Sequence, residues 1–84
     1  MSKTNDYIEL ENSVLCTAAS VAHLDDPVTR MRAITHLFDA IGEQVGRSRF
    51  HDKAVVLAVL VRRASETYVS ARRAAIADMR AVAA

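Results

Sequence analysis

Residues 48–84 read SRFHDKAVVLAVLVRRASETYVSARRAAIADMRAVAA, and neither Gly nor Pro interrupts them. The apolar run at the front, Ala54 to Val61, suits a buried strand as well as a helix by local preference. No second strand is available to pair with it, and a lone strand leaves its backbone N–H and C=O groups unsatisfied. The stretch therefore reads as one long helix over 49–83, with Ser48 as N-cap, Asp52 in the first turn and Phe50 as an apolar anchor at the junction. Along it Leu57, Val61, Ala64, Tyr68, Ala71, Ala75, Met79 and Val82 recur every three or four residues. That spacing is a near-heptad seam of small and apolar side chains.

Upstream, Asp25-Asp26-Pro27 is the sharpest boundary in the chain. Asp26 is a good N-cap, and Pro27 stands at the first helical position, where a missing N–H costs nothing. A helix over 27–45 follows, with Met31, Ile34, Phe38, Ile41 and Val45 on one stripe and Gly46 as a left-handed C-cap. Gly42 inside it costs about 1 kcal/mol relative to Ala unless it admits a close neighbour. Before the boundary, Asp6 and Glu9 have the spacing of a capping box for a helix over 6–24. Its stripe is Leu10, Val14, Ala18, Val21 and Leu24, with Thr17 at the edge.

The fold class expected is all-α: one domain over 1–84, a three-helix bundle with a long C-terminal helix. A low aromatic content of 5%, no Trp, two Gly and one Pro agree with it. The first two helices, each about twenty residues long, are expected to leave part of the seam uncovered. Leu57, Val61, Ala64, Tyr68, Ala71, Ala75 and Met79 are accordingly the candidate interface of a homodimer. The alternative is an ordinary three-helix core.

Several function classes lack their parts. The histidines His23, His36 and His51 stand on separate elements or ends, so no metal site is expected. Cys16, within a mostly apolar stretch, reads as a small buried packer. Two glycines make no phosphate-cradling loop, no nucleophile elbow occurs, and Asp25-Asp26 is explained by capping. No enzyme activity and no cofactor are expected. A single cysteine and a start, Met-Ser-Lys-Thr-Asn-Asp, without a signal-peptide pattern point to the cytoplasm. The longest apolar run falls far short of the roughly 20 residues of a membrane span, so no membrane partner is expected.

Charge is divided along the chain. Residues 1–26 carry one basic and five acidic side chains, net −4, and residues 27–84 carry ten basic and five acidic, net +5. At about 100° per residue, Arg62, Arg73 and Arg80 fall within about 20° of one another on the helix side away from the seam. Arg63 and Arg72 flank this stripe, which could follow a phosphate backbone. The alternative is a solvated face, with Glu66 one turn after Arg62. A second cluster, Arg47, Arg49 and Lys53, surrounds the turn between helices two and three, where amides at a helix start add to an anion site. No aromatics interleave with these cations, so duplex DNA suits them better than a single strand.

Asp26-Pro27-Val28-Thr29-Arg30, opening a helix with Ala33, and Arg72-Arg73-Ala74-Ala75-Ile76-Ala77-Asp78-Met79-Arg80-Ala81 together resemble the N-terminal helical region of small actinobacterial helix-turn-helix DNA-binding regulators. The resemblance covers residues 25–81, with Met79 where Leu is usual. It implies either the dimerisation and positioning part of a longer regulator or a stand-alone relative, acting in a bacterial, plasmid or phage transcription system. The other function expected from the residues is a protein-interaction adaptor that binds a partner protein without nucleic acid.

Overall fold

A computed structural model describes residues 3–83, with side chains from residue 6 to residue 82. The described residues form three helices, α1 (Lys3–Ala22), α2 (Pro27–Arg47) and α3 (Lys53–Ala83). Their directions follow from the ties between them. Arg63 meets Glu11 and Arg72 meets Ala22, so α1 and α3 run parallel, while Arg30 at the start of α2 meets Tyr68, so α2 runs antiparallel to both. The result is an up-down-up bundle with α1 packed most extensively on α3. No described helix is long and apolar enough to cross a membrane.

The core is Val14, Ala18, Leu37, Ile41, Val45, Leu60 and Ala64, with half-buried Tyr7, Leu10, Ile34, Phe38, Val56, Leu57, Val61 and Tyr68 against it. Ala18 and Ala64 are wholly buried, and such small side chains let helix backbones approach closely. Phe50 is half-buried in the α2–α3 turn and meets Tyr7 edge-on, with ring centroids 6.0 Å apart. That contact closes the lower end of the bundle. The Tyr7 hydroxyl donates to Glu11 at 2.7 Å. This hydrogen bond, helped by partial burial, raises the phenol above its ordinary value.

The α1–α2 boundary forms as expected: Asp26 accepts from the Thr29 amide at 2.8 Å and from its hydroxyl at 2.6 Å, with Pro27 in the first turn. Other ends differ from the sequence reading. The first helix begins at Lys3, so Asp6 lies in its first turn and is no N-cap, and it ends at Ala22 instead of Leu24. There the His23 and Leu24 amides close tight turns on the Ser20 and Val21 carbonyls at 3.1 Å. Gly46 is not left-handed, and α2 runs through it to Arg47. Donors replace the glycine cap: the Ser48 hydroxyl and amide both serve the Val45 carbonyl, and Lys53 Nζ serves that of Gly46 at 2.9 Å. Because Ser48 is used on α2, Asp52 caps α3, accepting from the Val55 amide at 3.3 Å, and the helix starts at Lys53 and not at residue 49.

Three side chains expected inside are outside, the first being Leu24, which is 36% exposed because α1 ends before it at Ala22. Met31 is 64% exposed and Leu37 takes the buried place, since Met31 lies about 80° around the helix from Ile41. Cys16 is exposed, two positions on from Val14 and so on the far side of α1.

Candidate nucleic-acid interface

The basic stripe exists because α3 spends its opposite side on the core. Ala64 and Ala75 are buried, and Leu57, Val61, Tyr68 and Ala71 are half-buried, so the seam up to Ala75 lies within the chain's own bundle. Met79 is 45% and Val82 89% exposed. The cause is length. At about 1.5 Å per residue α3 extends roughly 46 Å against about 30 Å for its neighbours. It matches the 50 Å long axis of the molecule and overhangs beyond the level where Arg72 meets the end of α1.

Arg62, Arg73 and Arg80 are all exposed and share the outward face of α3. Arg62 stands 4.0 Å from Glu66, with both side chains more than two-thirds exposed, a pair worth little in water. Arg73 and Arg80 take part in no ion pair among the described residues. Beside Arg73 the face dips into a shallow depression lined by Ser65, Glu66, Val69 and Ser70.

The flanking arginines have structural partners. Arg63 pairs with Glu11 at 3.5 Å and ties α3 to α1. Arg72 is half-buried and donates to the carbonyls of Ala22 at 3.0 Å and Leu24 at 3.4 Å, which satisfies the C-terminus of α1. The turn cluster divides in the same way. Arg47 pairs with Glu43, Lys53 is on the Gly46 carbonyl, and Arg49 is exposed in the loop. The turn lies at the start of α3 with Lys53 about 180° around the helix from Arg62, and Arg63 and Arg72 are held against α1, so the structure does not bring the eight basic candidates into one patch.

One contributor escapes the sequence reading. Arg30 reaches from α2 to the same Leu24 carbonyl that Arg72 contacts, and its Nε donates to the Tyr68 hydroxyl. Its place beside Asp26-Pro27 was the available signal, since the capped first turn aims that side chain at the bundle end. The opposite face of the bundle carries a groove of about 770 Å³ between α1 and α2. Leu10, Val14, Leu37 and Ile41 floor it, and Glu9, Ser13, His36 and Gln44 are on its rim. No group of three or more His, Cys, Asp or Glu side chains gathers into a metal-binding arrangement among the described residues. Comparison of the chain with known protein families, curated proteins and solved structures finds no match.

Proposed function

We propose that the chain is a non-enzymatic helical module of a bacterial, plasmid or phage transcription regulator that lies along duplex DNA with α3. The observation that carries this reading is the exposed row of Arg62, Arg73 and Arg80 on a single helix face, two of them free of ion pairs among the described residues. Guanidinium groups spaced along a rigid rod hold phosphates by charge and hydrogen bonding without reading bases. The contact positions the protein and carries no sequence preference of its own. Two copies act together, and the joining surface is narrower than the whole seam: it is the overhanging end with Met79 and Val82, where the apolar stripe continues past its own bundle.

The test is an electrophoretic titration of a short duplex at low and at moderate salt. A shift at low salt that fades as salt rises supports phosphate contact. No shift in either condition removes it.

The groove between α1 and α2 favours a second reading, a protein-interaction adaptor. An apolar floor with a polar rim between two helices suits an amphipathic helix of a partner protein. A single stoichiometric protein partner retained after nuclease treatment distinguishes this from the DNA reading.

A further inference from the structure

Two half-buried guanidinium groups meet at the α1–α2 turn with no carboxylate on either. Arg30 donates from Nη1 to the carbonyls of Leu24 at 2.9 Å and Asp25 at 3.4 Å, and from Nε to the Tyr68 hydroxyl at 3.1 Å. Arg72 donates from Nη1 to Ala22 at 3.0 Å and to the same Leu24 oxygen at 3.4 Å. Neither arginine forms a salt bridge among the described residues. Asp26, the acid nearest in sequence to the α2 arginine, spends its carboxylate on Thr29.

Like charges held against one carbonyl oxygen repel, and partial burial weakens the water that would screen them. The C-terminal end of α1 offsets this with about half a charge, and the Asp26 carboxylate, lowered by the Thr29 hydrogen bonds and in part by the Arg30 charge, acts on Arg30 from a distance without contacting it. Donors are left over. Arg30 has Nη2, Arg72 has Nε and Nη2, and the Tyr68 hydroxyl accepts from Arg30 while its own proton has no acceptor among the described residues.

We propose that Arg30, Arg72 and Tyr68 form a seat for a phosphate-type oxyanion at the junction of the α1–α2 turn with α3. Two planar forks from different helices and one hydroxyl match a tetrahedral anion with several acceptor oxygens, and the anion supplies a contacting negative charge that no described carboxylate gives to either fork. The seat goes beyond the DNA reading because its residues define it independently. A backbone phosphate of a duplex is one source of the ligand, and inorganic phosphate or a small phosphorylated molecule is the other.

The experiment follows the arginine Nε–Hε signals of the ¹⁵N-labelled chain while inorganic phosphate replaces chloride at fixed ionic strength. The Arg30 and Arg72 signals are expected to follow a common saturating curve, with those of the exposed Arg32 and Arg49 drifting weakly and without saturation. Uniform, unsaturated drift of all arginines overturns the seat. Arg72→Met is expected to weaken phosphate about tenfold or more. Tyr68→Phe, which keeps the ring in the core, is expected to weaken it measurably even if the first variant folds poorly, and unchanged affinity in Tyr68→Phe overturns the hydroxyl's part in the seat. A second titration with a short duplex separates the sources. Saturation by both ligands assigns the seat to a nucleic-acid phosphate, whereas saturation by phosphate alone assigns it to a free phosphate and removes DNA from that corner.

Discussion

At the residue scale, several side chains act through one atom and can be tested one at a time. The Asp26 carboxyl is held below its usual range by hydrogen bonds from the Thr29 hydroxyl and then from its amide. A carboxyl with a lowered folded value stabilises the native state fully above the ordinary Asp range, about 3.9, and loses that contribution as pH falls through the folded value. Asp26→Ala should therefore melt below the natural chain at neutral pH, with the gap closing as pH drops below about 4. A thermal melting series across that range checks it, and a gap that stays constant into acid contradicts the capping role. Cys16 makes a second test. Because it is exposed, a thiol reagent should label the native chain at close to the rate of the denatured one. Strong protection in the folded state would place the sulfur inside, as the sequence alone suggested.

The element scale shows where sequence patterns suffice and where they do not. The choice of helix over strand for α3 rested on the missing partner strand, a global argument, and the helix is there. Its ends were harder to read, because a cap depends on which side chain reaches which carbonyl. Ser48 has the chemistry to cap either neighbour, and only the arrangement of Val45 and Lys53 around it assigns it to α2. For the same reason Gly46, a natural terminator by type, is passed over. Gly42 yields a prediction of its own. A Cβ built there meets nothing within 4 Å and the backbone is helical, so no close neighbour needs the glycine. Gly42→Ala should raise stability by about 0.5–1 kcal/mol, several degrees in melting temperature for a domain of this size. Chemical denaturation measures it, and a loss of stability would mean that the α2 surface is covered by something at that point.

At the scale of the whole molecule, periodicity made the basic stripe legible but not the occupation of the opposite seam. Spacing alone cannot say whether Leu57 to Ala75 meets its own chain or a copy, since both present the same face to an apolar neighbour. The bundle packs that portion against the chain's own core and leaves the end with Met79 and Val82 outside. If two copies join there, Met79→Glu should shift the chain from concentration-dependent association to monomer in sedimentation equilibrium, with helix content unchanged. A monomer at all concentrations before mutation contradicts the pairing. Likewise Arg63 and Arg72 looked like further members of the stripe, and their partners on α1 turn them toward the bundle.

In the proposed function the outward face of α3 holds duplex phosphates through Arg73 and Arg80. The most direct measurement is the affinity for a short duplex across a salt series, for the natural chain and for Arg73→Ala with Arg80→Ala. Neither residue has a partner in the described fold, so the double variant should stay folded. The double variant should bind more weakly, with a log–log salt slope shallower by about 2, close to one for each lost phosphate contact. Equal affinity and equal slope in the two proteins would contradict it.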